Sequence, residues 1–443
     1  MEQLIEFAIY GFVVLLIVGV LLIYILKQKR ESKVVEAKIQ QAKENNSHEP
    51  VSLYPVIDPN RCIKSGACVD ACPEHDILGI VNGKATVINA SHCIGHGACF
   101  RACPVEAISL WIGTEKRGVD LPHVGTTFET NIPGIYIAGE LGGMGLIRNA
   151  VTQGKEAVEN IAKNFKRDNR ATYDLIVVGA GPAGISATLA AKKANLSVLT
   201  LEQDTLGGTV FNFPRSKVVM TSSMELPLHG KVKFRETSKT QLLDLWHSVL
   251  AKNEITVKEN SKVQAIIPDG GIFKVQTARD DTYTSKTVLL SIGRRGTPQK
   301  LNVTGEDTEK VAYKLLEAEE IKNKKILVVG GGDSAIEAAL LLMHQNKVTL
   351  SYRGETFSRL KLTNNEKIKE AISLDQIDMK FGTNVVSIHE DYVLYSENQS
   401  ADTLKLENDL VYIFAGGELP TEFLKKTGIN VTTKYGEKVL KHR

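Results

Sequence analysis

The chain has 443 residues, 43% of them hydrophobic and 24% charged, with a formal net charge of +3, the profile of an ordinary globular protein with room for two or three domains. Lys and Arg cluster only in short patches such as residues 27–30, so no nucleic-acid footprint is present and no nucleic-acid partner is expected.

Residues 7–26 are 20 uncharged positions dominated by Val, Leu and Ile. At about 1.5 Å per residue they reach about 30 Å, one hydrocarbon thickness. Glu2 and Glu6 precede the run and KQKR follows it, the reverse of a secretory signal. The expectation is an uncleaved anchor over 1–27, single-pass in the cell membrane, with the bulk of the chain in the cytoplasm by the positive-inside rule. Residues 28–50 are polar, first helical in character and then broken by NNSH, and read as a linker.

All six cysteines lie in two copies of one pattern within 51–112: CIKSGACVDACP, with Cys62, Cys68 and Cys72, and CIGHGACFRACP, with Cys93, Cys99 and Cys103. Zinc binding and disulfides remain alternatives for such spacing, although a reducing cytoplasm disfavours disulfides. The doubled run, each third cysteine followed by Pro, resembles the bacterial di-cluster ferredoxin family, whose pattern is C-x2-C-x2-C-x3-C-P. The second cysteine of that pattern is replaced by Ser65 in one copy and His96 in the other. Crossing the ligands as the family does gives Cys62, Cys68 and Cys103 to one cluster and Cys93, Cys99 and Cys72 to the other. The resemblance implies two iron-sulfur clusters, 4Fe-4S or 3Fe-4S, in a small α+β ferredoxin-like domain, with His96 as the candidate fourth ligand, since imidazole replaces thiolate on iron elsewhere. Ser65 stands second to it.

From Tyr173 the sequence DLIVVGAGPAGISATLAAKKANLSVLTLE reads as strand, Gly-rich turn, helix and second strand. Gly179, Gly181 and Gly184 would let backbone amides approach a pyrophosphate, and Glu202 would take ribose hydroxyls. A second unit, KKILVVGGGDSAIEAALLLMHQNKVTLSYRGETFSR, repeats the design with Gly330 and Gly332, and Asp333 and Ser334 open its helix. Tyr352, Arg353 and Arg359 stand where an acid would be, which suits a 2'-phosphate and hence NADPH. His229, His247 and His344 are read as ordinary surface or core residues.

Two such units, followed by LSIGRRGTP (with Gly293) and FAGGELP, resemble the two-dinucleotide-binding-domain flavoproteins of the thioredoxin reductase family over nearly all of 173–443. The resemblance implies FAD in the first unit, where Gly207 and Gly208 are further cofactor contacts, NADPH in the second, and a homodimer. The redox Cys-x-x-Cys of thioredoxin reductases is missing here. The family's closing segment, PGI-x-AGD followed by R-x-A, appears upstream instead, in TNIPGIYIAGELGGMGLIRNA. Gly139 and Glu140 take the acid position and Arg148, Asn149 and Ala150 open the next helix, as in a circular permutation.

The expected fold class is therefore α/β: two Rossmann-like dinucleotide-binding domains, the small α+β iron-sulfur domain and one N-terminal membrane helix. The expected boundaries after the iron-sulfur domain are 113–170 for the permuted closing segment, 171–300 for the FAD domain, 301–412 for the NADPH domain and 413–443 for a return to the FAD domain. Hydride chemistry needs no acid-base residue, so no catalytic side chain is assigned. Electrons would pass between NADPH, FAD, two clusters and a one-electron partner, which could be a ferredoxin, a quinone or a membrane redox protein. The alternatives are an iron-sulfur redox sensor or assembly module with slow flavin turnover, and a flavin-only reductase of a small disulfide.

Overall fold

The computed structural model describes residues 2–440 apart from 45–46, 51–52, 73, 75, 94, 96, 116–117, 144, 164, 214–217, 221–222, 234–235, 295–296, 358–359, 399 and 401. It divides into two compact units, one made of the chain up to Val119 together with the part from Lys434 onward, the other of Asp120–Thr433.

In the first unit a single helix runs Glu2–Glu44. Residues 28–44, expected to be linker, thus continue the helix. They are rich in Ala, Glu, Lys and Gln and contain no Gly or Pro, so nothing stops it. One face also packs on the iron-sulfur domain. Val35 fills the space above Gly79, where a Cβ would fall 2.6 Å away. Ser32 Oγ accepts from the Asn82 amide at 3.2 Å, and Lys38 pairs with Asp76 at 2.5 Å.

The iron-sulfur domain is built on two antiparallel pairs, Tyr54–Ile57 with Ile108–Ile112 and Leu78–Val81 with Lys84–Val87. Period-two alternation buries Ile108, Leu110 and Ile112, the pattern of a strand with one face in the core. The free edge of that strand is taken by Glu437–Leu440, with Lys438 lying over the Trp111 ring. Of residues 413–443, expected to return to the FAD domain, the last strand therefore joins this sheet instead, while Leu424 and Ile429 pack in the core of the other unit. An apolar strand with an open edge is a ready template for one more strand, and the C-terminal segment supplies it.

The second unit holds two parallel sheets of like design. In the first, Val257–Lys258, Val198–Leu201, Tyr173–Val178 and Thr282–Leu290 lie side by side in that order. Thr282–Leu290 carries on its far edge the antiparallel pair Ile272–Thr277 and Val263–Asp269 and, further along, the parallel strand Ile135–Ile137. That upstream strand is fully integrated: Ala138 donates to Leu290 at 3.0 Å, and its helix Ile147–Lys163 packs on the helix Pro182–Lys193. Gly154 permits the contact, since a Cβ there would lie 2.1 Å from the Ala183 carbonyl oxygen. In the second sheet the order is Ile377–Phe381, Lys347–Tyr352, Lys325–Val329, Leu410–Ile413 and Val311–Ala312.

Candidate cofactor sites

Gly66 and Gly97, with φ of 74° and 69°, cap two short helices, Ala67–Asp70 and Ala98–Ala102. The left-handed turn, cheap only for glycine, aims Cys68 and Cys99 inward, and both are buried. Cys62, Ser65, Cys68 and Cys103 line one hollow. Cys72, from the first copy, sits electrostatically with Cys93 and Cys99 of the second. Cys68 acts on both Cys72 and Cys99 as well, so the two groups of thiols adjoin one another.

Burial pushes the Cys93 thiol up to about 11 and Cys99 up to about 12, and neighbouring thiols add to both. Cys68 and Cys72 are raised for the same leading reason. Such thiols ionise near neutral pH only beside a strong positive charge, which cluster iron would supply. Two backbone donors already face sulfur: Ala85 N lies 3.5 Å from Cys62 Sγ and Ala107 N lies 3.2 Å from Cys103 Sγ. Hydrogen bonds of this kind tune a cluster. All six cysteines are free thiols. Among the described residues no three His, Cys, Asp or Glu side chains converge as one metal ion requires. A cluster makes a different demand, because each thiolate binds its own iron and the sulfurs stand further apart. Ser65 is exposed at the rim, and His96 lies outside the described residues.

At the first nucleotide turn the three glycines do three jobs. Gly179 has φ of 100° and lies against the Ser291 carbonyl; Gly184 would put a Cβ 1.8 Å from the Gly179 carbonyl oxygen; Gly181 has nothing within 4 Å. Tight turn, close helix packing and open approach are the roles a pyrophosphate loop needs. The turn sits between Tyr173–Val178 and Thr282–Leu290, where strand order reverses and ligands of such sheets bind. Ser291, not singled out in the sequence, donates its amide to Val178 at 2.8 Å and its hydroxyl to Gly179 at 2.8 Å. Only its place at the end of a buried strand hinted at this.

Glu202 is buried and accepts from the Ala180 and Asp204 amides at 2.7 and 3.0 Å. Burial raises its carboxyl above the ordinary range while those amides oppose the shift. Gly208 approaches the same turn, its Cβ position 3.3 Å from Gly181 Cα, and Gly207 precedes it with φ of 105°. Gly293, with φ of 67°, follows Ser291. On the closing segment Gly139 has φ of 86° and takes the Gln153 side chain at 2.8 Å on its amide. Glu140 follows it, and Arg148, Asn149 and Ala150 stand in the first turn of the next helix. Gln153 was missed because its role depends on a fold-back.

The second turn repeats the pattern. Gly330 has φ of 140°, Gly332 has nothing within 4 Å, and Ala335 is fully buried in the third position. Asp333 Oδ1 accepts from Lys361 N and from Asn364 Nδ2 at 3.0 and 2.7 Å, and Ser334 is exposed beside it. The Tyr352 ring covers Gly331 and stacks on Phe357. Arg353 is exposed, while Arg359 lies outside the described residues.

Residues 176–442, well over half of the chain, match the family model described as pyridine nucleotide-disulphide oxidoreductase. The chain belongs to that family. Residues 54–104 match a 4Fe-4S dicluster domain, so this member of the pyridine nucleotide-disulphide oxidoreductases is a thioredoxin-reductase-like flavoprotein fused to a ferredoxin-type domain. It is an FAD-dependent NAD(P)H oxidoreductase with an iron-sulfur domain. Bacilliredoxin reductase Bdr of Bacillus subtilis is 27% identical over 59% of this chain and 82% of that protein. A ferredoxin--NADP reductase of Picrophilus torridus is 30% identical over 49% of this chain and 66% of that protein. Among solved structures, the bacillithiol disulfide reductase Bdr (YpdA) of Bacillus cereus is similar with a TM-score of 0.52 at 26% identity, covering 58% of this chain and 82% of that one.

Proposed function

We propose that the protein is a membrane-anchored oxidoreductase that carries electrons between NADPH and a one-electron partner through FAD and two iron-sulfur clusters. The carrying observation is the distribution of sulfur: all six cysteines lie in the iron-sulfur unit, with Cys62, Cys68 and Cys103 around one hollow and Cys72 acting on Cys93 and Cys99, which supports one trio for each of two clusters. The nucleotide-binding unit has no thiol with which to pass electrons to a disulfide.

When bound, FAD supplies the conversion between hydride pairs and single electrons. The chain's own groups do the holding. Gly179–Gly184 and Glu202 suit the FAD pyrophosphate and ribose, with Gly139 and Glu140 arriving from the closing segment. The equivalent turn at Gly330–Gly332 suits NADPH, with Arg353 and Arg359 for its 2'-phosphate, so the two sheets are read as two Rossmann-like domains. The two thiol trios suit two clusters, with His96 and Ser65 as further donors. The helix exposes its apolar side chains from Tyr10 to Leu26, which supports a single membrane span, and the KQKR run that follows it favours a cytoplasmic remainder. A homodimer follows from the family resemblance.

NADPH-dependent reduction of ferricyanide by anaerobically purified protein, accompanied by an iron-sulfur electron paramagnetic resonance signal that NADPH alters, tests this reading. Iron-free preparations, or undiminished turnover in Cys62→Ala and Cys93→Ala, would overturn it. The Bdr likeness favours a second reading, direct reduction of a small disulfide at the flavin. Only that reading expects disulfide turnover to survive both cysteine substitutions.

A further inference from the structure

We infer that the end of the iron-sulfur domain carrying Ile63, Lys64 and the Asn82–Gly83 turn is a membrane-seating surface whose partner is an anionic lipid headgroup layer. The inference rests on the reading of residues 7–26 as a membrane span and adds to it an orientation. The helix Glu2–Glu44 has no break between its apolar part and the part that grips the domain. Its contacts with the domain form a ladder: Tyr24 to Lys64, Ser32 and Glu36 to Asn82, Val35 to Gly79, Lys38 to Asp76. The topmost rung matters most. Tyr24 lies inside the apolar run, two residues or about 3 Å short of its end, and Lys64 Nζ stands 5.5 Å from its ring centroid. Aromatic rings near the end of a span sit at headgroup depth, so the 63–65 loop is carried to that depth too.

The chemistry of the surface suits such a seat. Ile63 is 63% exposed beside Lys64, an apolar side chain left largely uncovered next to a long cation that can meet phosphate. Lys27, Lys29, Arg30 and Lys33 follow the apolar run on the helix, and exposed Lys84 reaches the Cys62 carbonyl at 2.8 Å. Glu31, which pairs with Lys27 at 4.0 Å, and Glu36 are the acidic residues of this helix stretch. The balance is basic, worth attraction to an anionic leaflet. Ile63 and Lys64 directly follow Cys62, so the hollow of Cys62, Cys68 and Cys103 would face the headgroups.

The full chain carrying Ile63→Trp is placed in nanodiscs of anionic lipid brominated just below the headgroup. The emission that this substitution adds to the parent's is expected to fall at least two-fold relative to unbrominated lipid, and less when Lys64→Glu is also present. Unchanged emission from protein that resists alkaline extraction overturns the seating surface while leaving the anchor intact; release by alkaline extraction overturns the anchor itself. Should Ile63→Trp fail to accumulate, amide hydrogen exchange of the unmodified chain replaces it. Residues 61–66 are then expected to exchange more slowly in anionic than in neutral nanodiscs, and equal rates overturn the inference.

Discussion

Two alanine substitutions three residues apart separate folding from flavin binding. At Gly184 the new Cβ would lie 1.8 Å from the Gly179 carbonyl oxygen and 2.7 Å from Ser291 Oγ, and a backbone carbonyl cannot rotate aside. The helix Pro182–Lys193 must shift, and overpacking of that kind costs about 1–3 kcal/mol. The upper figure corresponds to a melting temperature lower by about 6–12 °C. At Gly181 the backbone is ordinary, with φ of −76° and ψ of −173°, and the Cβ would meet nothing within 4 Å. Alanine there leaves the fold intact or stabilises it by about 0.4–1 kcal/mol through the unfolded chain, yet on the proposed reading its methyl would stand where the pyrophosphate approaches. Bound flavin itself stabilises the folded state, so melts are compared on flavin-stripped samples. Flavin content is read separately by absorbance after purification. Gly181→Ala is expected to melt with the parent and lose at least ten-fold in bound FAD. Full flavin content in Gly181→Ala, or a parental melting temperature in Gly184→Ala, would refute the division of labour.

Glu306 is 8% exposed and accepts from the Leu301 and Asn302 amides at 2.7 and 2.6 Å and from the Tyr313 hydroxyl at 2.8 Å, so Glu306→Ala should cost about 2–4 kcal/mol by chemical denaturation as donors lose their acceptor. Burial resists ionisation of Glu306, but these donors prevail and hold its carboxyl below the usual range; the stability it contributes is present above about pH 4.5 and is lost as pH falls through the lowered value, and Glu306→Gln should flatten that acid limb. Burial, then Glu129, pushes the Tyr136 phenol up to about 12, so the folded state keeps a proton that the unfolded chain releases near pH 10 and stability declines between about pH 10 and 12; Tyr136→Phe should remove that component from the alkaline denaturation curve. Deleting residues 437–443 uncovers the edge of Ile108–Ile112 and should lower iron content on purification, whereas a cut that leaves Leu440 in place should not.

The parts with strict local demands were legible in the sequence. Glycine at 179, 184 and 330, the strand Ile108–Ile112 and the Gly-Ala step before Cys68 and Cys99 each reflect a steric or periodic rule acting within a few residues. The closing segment at 135–150 was legible as well, because its resemblance is carried by a compact string. What escaped depends on distant partners. Nothing between residues 28 and 44 announces that Val35 will cover Gly79, and the four residues EKVL at 437–440 are too few and carry no alternation that would name Ile108–Ile112 as their neighbour. Ser291 and Gln153 are ordinary residues until the fold brings Gly179 and Gly139 beside them.

The order of the chain has a structural logic. The iron-sulfur sheet is left after Ile112 and rejoined at Glu437, and those two strands pair antiparallel, so the whole nucleotide-binding unit stands in the position of a hairpin loop. Insertion into a hairpin is tolerable when the insert's own ends meet. They do: Thr433 donates to Asp120 at 2.6 Å, and His123 N reaches Asn430 O at 2.8 Å. Moving the strand Ile135–Ile137 and its helix ahead of Tyr173–Val178 gives the flavoprotein fold ends that suit such a host. The host should then not need its insert. Gly113 and Gly436 both have positive φ, 72° and 69°, and the Cβ position of Gly436 lies 3.9 Å from Thr114 Cα, so a short turn can join them. A chain in which residues 114–435 are replaced by a two-residue Asn-Gly turn is expected to fold and assemble iron in membranes. Iron-free, aggregated product from that chain, beside normal iron loading of the parent, would show that the iron-sulfur unit is not an independent host.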